Sequence, residues 1–155
     1  MIVFLDKDGV FEHTRCYMAG MLADPVAVTV LNGLFSRPDV RVVISATFRQ
    51  IVDREGAYAH LKERGIVCTL HDDWTTGRRI EGRHNEIAAW LERNGDVDYV
   101  VLDDEHCAPP VDPARWIKCD PMNGMDLDTL IRVDGLAGLE YGTSLRAQAY
   151  RAALK

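Results

Sequence analysis

Lysine is scarce in this chain. Of 155 residues only 4 are Lys against 14 Arg, and the 18 basic residues are outnumbered by 24 acidic ones. The resulting net charge of −6 excludes a strongly basic nucleic-acid clamp, while leaving room for a local basic patch. The Arg bias itself reads as genome base composition. Glutamate is sparse too, 8 residues against 16 Asp, and Asp is the shorter acid favoured at caps, turns and metal sites. The four cysteines, Cys16, Cys68, Cys107 and Cys119, form no Cys-x-x-Cys pair and no zinc-knuckle spacing. That excludes a disulfide scaffold and predicts reduced thiols in a cytoplasmic protein. No apolar run approaches a membrane span, and an acid stands at position 6, so neither a transmembrane helix nor a signal peptide is expected. Internal repeats, linkers and low-complexity tracts are missing.

What is present is an ordinary globular composition, 47% apolar and 27% charged. The length predicts a single domain over 1–155 with a core of its own. Five short apolar runs predict strands at 2–5, 40–44, 66–70, 99–102 and 116–119. Several are apolar at successive positions, the pattern of strands buried on both faces of a parallel sheet. Helical patterns lie between them. Asp24-Pro25 caps a helix whose stripe is Val26, Val30, Leu31, Leu34 and Phe35. A second helix is expected over about 50–64, stopped by Gly65. A third, over about 84–94, carries Ile87, Trp90 and Leu91 on one face and ends at Gly95. Asp126 caps a short helix through Ile131, and Ser144 caps a last one over 145–154. The alternation predicts an α/β fold: a Rossmann-like, three-layer open parallel sheet of about five strands.

In such sheets the ligand site lies beyond the carboxyl ends of the strands. Strand one is followed by Asp6-Lys7-Asp8-Gly9, strand two by Ser45-Ala46-Thr47-Phe48-Arg49, and strand four by Asp103-Asp104-Glu105. Arg83 stands near the start of the third helix, just after Arg78 and Arg79, and strand five leads into Asp120-Pro121 and Asn123-Gly124. Four converging carboxylates repel one another unless a cation joins them. Mg²⁺ suits a few carboxylates completed by water and phosphate oxygens. Ser45 offers a hydroxyl to phosphate and Arg83 a guanidinium, so the set fits phosphoryl transfer. Each group alone has a plainer account. Asp-x-Asp-Gly also makes turns, Asp103-Asp104 also serves as a solvated strand exit or cap, Ser45 and Thr47 as polar residues after a strand, and Arg83 as a surface charge. The weight lies in their order.

These residues resemble the haloacid dehalogenase-like (HAD) phosphohydrolase superfamily. Its four motifs are matched by Phe4-Leu5-Asp6-Lys7-Asp8-Gly9, Val42-Val43-Ile44-Ser45, Arg83, and Val100-Val101-Leu102-Asp103-Asp104. One branch, the HAD domains found with RNA-repair proteins, is similar in more detail. Its third motif reads Arg-Gly-x-Glu-Ile followed by Trp-Leu, and here Arg83-His84-Asn85-Glu86-Ile87 is followed by Trp90-Leu91. Tyr99 to Asp104 and Asp120 to Gly124 also resemble that branch, with His84 departing from its usual Gly. The resemblance spans about residues 1–130.

It implies that Asp6 is a nucleophile forming an aspartyl-phosphate, and that Asp8 is the general acid and then the base. It implies Mg²⁺ held by Asp6, the Asp8 backbone carbonyl and the pair Asp103 and Asp104, with Asp104 the closer ligand and Asp103 direct or water-mediated. Ser45 and Arg83 would hold the phosphoryl oxygens, helped by backbone N–H groups of Lys7 and Gly9 and by Ala46 and Thr47. Arg49 either reaches substrate beyond the phosphate or is a surface cation.

Asp6 to Ser45 spans 39 positions and Ser45 to Arg83 spans 38, too few for a large cap domain in either interval. An open site suits a phosphate on a large molecule, such as an RNA or DNA end. Small phosphometabolites or phosphoproteins are the alternative substrates, and a non-catalytic binding or receiver-like domain is the alternative class. Receivers carry their acidic pair after the first strand, whereas here it follows the fourth. No obligate protein partner is evident. In the loop 11–23, His13, Tyr17 and Met18 are contact candidates, with core packing expected for Tyr17 and Met18. His71-Asp72-Asp73 is expected to be an exposed polar turn, and His106-Cys107 has no evident partners. Setting Asp6, Asp8, Asp103 and Asp104 aside as metal-facing leaves −2 for the rest of the chain, so the acidity is a weak objection to a phosphorylated polymer.

Overall fold

The computed structural model describes residues 1–77, 82–95 and 97–136. In chain order the elements are β1 (Ile2–Leu5), α1 (Thr14–Met18), α2 (Pro25–Phe35), β2 (Arg41–Ile44), a 3₁₀ turn (Thr47–Gln50), α3 (Arg54–Glu63), β3 (Leu70–Thr75), α4 (Arg83–Asn94), β4 (Tyr99–Asp103), a second 3₁₀ turn (Pro113–Arg115), β5 (Trp116–Lys118) and α5 (Leu127–Leu136). The expected helix over 145–154 lies outside the described residues.

All strand pairings are parallel, in the order β3-β2-β1-β4-β5. The successive side chains of β1 point to opposite faces, and both faces are buried. Val3 and Leu5 join Val42, Ile44 and Leu102 in a core with α2, α3 and α5, while Ile2 and Phe4 join Val43, Val101 and the α4 residues Ile87 and Trp90. This is the three-layer sandwich that near-continuous apolar strands require. Trp90 sets its ring edge-on to Phe4 at 5.2 Å and donates its indole N–H to the Asp73 carbonyl at 2.8 Å, so a fully buried tryptophan leaves no polar atom unpaired.

Local signals end the helices as their chemistry predicts. Asp24 accepts from the Val26 N–H at 2.8 Å with Pro25 in the first turn, and Asp126 accepts from the Thr129 N–H at 2.8 Å. Several spans differ from expectation: α5 runs on to Leu136 instead of ending at Ile131, and the loop 11–23 holds the short helix α1. The second helix starts at Arg54, because the residues after Ser45 turn in 3₁₀ geometry and Asp53 supplies the cap through the Gly56 N–H at 2.8 Å. The third strand is Leu70–Thr75, so His71, Asp72 and Asp73 are strand residues and not a turn. As an edge strand with one neighbour, β3 tolerates outward charge. Asp73 accepts from Arg93 at 3.1 Å and Asn94 at 2.8 Å, tying β3 to α4.

Candidate active site

The sheet changes winding direction on either side of β1, and the carboxyl ends of β1, β2 and β4 meet there. Asp6 follows β1 directly, 4% exposed, its N–H bonded to the Leu102 carbonyl at 3.0 Å. The chain then folds into a tight turn in which the Lys7 carbonyl accepts from the N–H groups of Val10, Phe11 and Glu12 at 3.0 to 3.2 Å. Gly9 has φ +71°, and a Cβ there would lie 2.5 Å from the Asp104 side chain, so position 9 admits only glycine. Ser45 follows β2, fully buried, its N–H on the Leu5 carbonyl at 3.0 Å. Arg83 opens α4 after Gly82, whose φ of +84° turns the chain into the helix.

Carboxylate oxygens of Asp6, Asp103 and Asp104 lie within 4.8 Å of one another. Arg83 spans two of them, 3.3 Å from Asp6 through Nη2 and 3.2 Å from Asp103 through Nε. One cation does not balance three anions. Burial and the Asp103 carboxylate push Asp6 up to about 8 despite Arg83. Burial likewise raises Asp103 to about 6 and holds Asp104 above its ordinary value, where Glu105 adds to it. Burial opposes the Arg83 charge, but Asp6 and Asp103 outweigh it and strengthen its hold on the proton.

Two buried donors here, Ser45 Oγ and Arg83 Nη1, have no hydrogen-bond partner among the described residues, and Asp103 Oδ2 has only its ion pair with Arg83. Orphaned buried groups are rare in folded proteins. An anion would satisfy the two donors and a cation the acceptor. The all-oxygen trio fits a hard divalent ion such as Mg²⁺.

The Asp8 side chain stands outside this trio. It is 61% exposed and takes Lys7 Nζ at 2.7 Å and the Tyr17 hydroxyl at 3.2 Å on Oδ1. Its backbone carbonyl is the part the resemblance places on the metal. The Gly9 N–H is engaged within the turn by the Glu12 carbonyl at 2.6 Å, so what Gly9 contributes is room for Asp104 rather than a donor to substrate. Ala46 is buried, and Thr47 is exposed at the mouth of a cleft of about 240 Å³ shared with Gln50, Gly82, Arg83 and Glu105.

Arg49 is not a surface cation. It is 5% exposed, pairs with Glu86 at 2.7 Å, and donates to the carbonyls of Ser45, of Ala46 at 3.0 Å and of Gly77 at 3.2 Å. It therefore fixes the loop that carries Ser45 to the helix that carries Arg83. Tyr17 and Met18 are not core residues either, at 54% and 81% exposed, while His13 is buried beside Cys16 at 3.2 Å and Asp24 at 3.5 Å. The reason is that α1 is a short helix lying on the surface with only Cys16 turned inward.

Two buried acids have roles that the sequence does not assign: Glu86, present there only as part of the third-motif match, and Glu12. Glu86 shares the apolar face of α4 with Ile87 and Trp90, an acid in a buried stripe, and that was its available signal. Glu12 follows the apolar pair Val10-Phe11 and is buried with them. Hydrogen bonds from Tyr17 and Arg64 overcome its burial and keep it below the ordinary carboxylate range.

A family model described as the HAD domain in Swiss Army Knife RNA repair proteins matches residues 2–130. The chain belongs to this family. The match takes in every described strand, the three strand-end groups of the site and Arg83, so this HAD domain carries the hydrolase frame of a superfamily that generally uses Mg²⁺. Comparisons with curated proteins and with solved structures returned no match. No helix among the described residues of the HAD domain is long and apolar enough to cross a membrane.

Proposed function

We propose that this HAD domain is a Mg²⁺-dependent phosphomonoesterase that works through an aspartyl-phosphate, acting on a phosphate at a nucleic-acid end. The observation that carries the reading is the juxtaposition at the strand ends: the Asp6 carboxylate against Asp103 and Asp104, with two buried donors that have no hydrogen-bond partner among the described residues, Ser45 Oγ and Arg83 Nη1, at hand for an anion. Bound Mg²⁺, held by Asp6, Asp103, Asp104 and the Asp8 carbonyl, would neutralise charge on the carboxylates and on the phosphoryl group.

The chain's own residues do the rest. Ser45 and Arg83 donate to phosphoryl oxygens and orient the phosphorus. An Asp6 oxygen attacks it, the bond to the ester oxygen breaks, and Asp8 gives that oxygen its proton. Asp8 then takes a proton from water as the water oxygen attacks the phosphoryl group, releasing inorganic phosphate and freeing Asp6.

The nucleic-acid end is supported by the family description and by intervals of 39 and 38 residues between motifs, which hold no cap-sized insertion. The four free cysteines suit a reducing, cytoplasmic setting. A panel tests the reading: a 3′-phosphorylated oligonucleotide, a sugar phosphate and a phosphopeptide, each with Mg²⁺ and with excess chelator. Phosphate release from the oligonucleotide above the other two, lost in chelator and restored by Mg²⁺, is expected. Preference for the sugar phosphate or the phosphopeptide removes the nucleic-acid assignment, and undiminished release in chelator removes the metal.

A further inference from the structure

Glu12 is the most heavily engaged carboxylate in the described residues that the proposed chemistry does not use. Its side chain is 3% exposed. It accepts from the Tyr17 hydroxyl at 2.8 Å, from Lys7 Nζ at 3.2 Å and from Arg64 Nε, and His60 stands 3.6 Å away. Arg64 comes from the end of α3, 52 residues further along the chain, so the turn after β1 is tethered to a separate element. Two of these partners reach onward. Lys7 Nζ contacts Asp8 at Oδ1, and the single Tyr17 hydroxyl proton, aimed at Glu12 at 2.8 Å, is shared with the same Asp8 oxygen at 3.2 Å. Oδ2 receives no donor among the described residues.

We propose that Glu12 and Tyr17 are positioning residues for the Asp8 carboxylate, a role that rests on the phosphatase reading of the site. Glu12 is the buried anchor, and Lys7 and Tyr17 are two arms that grip one oxygen of Asp8 and leave the other for the leaving group. An exposed Asp side chain without such arms samples several rotamers. Proton transfer demands a donor held within hydrogen-bond reach of the departing oxygen. The closed backbone turn from Lys7 to Glu12 keeps anchor and acid at a fixed separation.

The test uses leaving groups that differ in their need for a proton. An alkoxide leaves poorly without protonation, whereas 4-nitrophenolate leaves as the anion. Tyr17→Phe removes only the hydroxyl from a half-exposed ring. Its kcat/KM on glycerol 2-phosphate is expected to fall about tenfold, with less than about a threefold change on 4-nitrophenyl phosphate. A general weakening of the fold lowers both alike, so equal losses, or none, would overturn the proposal. Glu12→Gln is expected to give the same split, larger in size. Should it fail to fold, Tyr17→Phe still decides. A crystal structure of Tyr17→Phe provides a readout independent of turnover: Asp8 is expected in more than one rotamer, and an unchanged single rotamer counts against the role. If the unaltered protein hydrolyses neither these esters nor the 3′-phosphorylated oligonucleotide, the phosphatase reading falls, and the Asp8 rotamers still settle the positioning role.

Discussion

At Asp6 two demands conflict. A nucleophile must be buried against its metal and phosphate, and burial without them is unfavourable for a carboxylate. Asp103 lies close by and Arg83 is shared between the two, so the metal-free chain holds an excess of negative charge at this point. Removing that charge therefore has opposite consequences for activity and stability. Asp6→Asn is expected to abolish phosphate release while leaving the melting temperature in chelator equal to or above that of the parent. Residual turnover above about one part in a thousand would reassign the nucleophile, and a lower melting temperature would refute this conflict. That Asp6, Ser45, Arg83, Asp103 and Asp104 meet at one edge is legible in the sequence, because each follows an apolar run or opens a helix, and strand ends in a parallel sheet share an edge. The buried pairings of Arg49, Glu12 and Glu86 are not, since burial of a charge is decided by a partner far along the chain. Arg49 finds Glu86 at a distance of 37 residues and Glu12 finds Arg64 at 52. Nothing local to either charge names its partner.

Among the elements, the least legible was β3. The apolar run at 66–70 marks its approach and not its pairing: Ile66 and Leu70 are buried, but Val67 between them is 71% exposed, and the ladder with β2 starts only at Leu70. Central strands need apolar residues on both faces, which is why β1, β2 and β4 could be placed from pattern alone, whereas an edge strand does not. The junction of the 3₁₀ turn at Thr47–Gln50 with α4 depends instead on one buried ion pair, Arg49 with Glu86, whose side chains are 1% and 5% exposed. Truncating one partner of a buried pair leaves the other charge stranded, and the loss exceeds the net worth of the pair itself. Glu86→Gln is expected to destabilise the protein by about 3 kcal/mol in chemical denaturation, and to raise KM for the phosphoester as Ser45 and Arg83 lose their common support. A loss below about 1 kcal/mol, the range of exposed pairs, would mean that the clamp contributes little to holding the two elements.

For the molecule as a whole, much of the net charge of −6 lies at one edge of the sheet: Asp6, Asp103 and Asp104 stand around the candidate metal position and Asp8 lies just beyond them. Stability in the absence of metal should accordingly follow the titration of this cluster. Asp6 and Asp103 have folded-state values of about 8 and about 6, both above the 3.8 of an unperturbed Asp. The folded chain thus binds protons more tightly than the unfolded chain, and stability must fall as pH rises between those limits. The contribution is fully present below about pH 4 and disappears as pH climbs through 6 and then 8. Mg²⁺ acts in the opposite sense, because it binds the deprotonated carboxylates and binds only the folded chain. In chelator the melting temperature is expected to decline from pH 5.5 to pH 8.5, and the increase produced by added Mg²⁺ to widen over the same window. Asp6→Asn should flatten the upper part of the decline, since it removes the group that titrates last. A Mg²⁺-induced shift of the same size at both pH values would show that protons and metal do not compete for these carboxylates, and the assignment of Asp6, Asp103 and Asp104 as a cation site would fail with it.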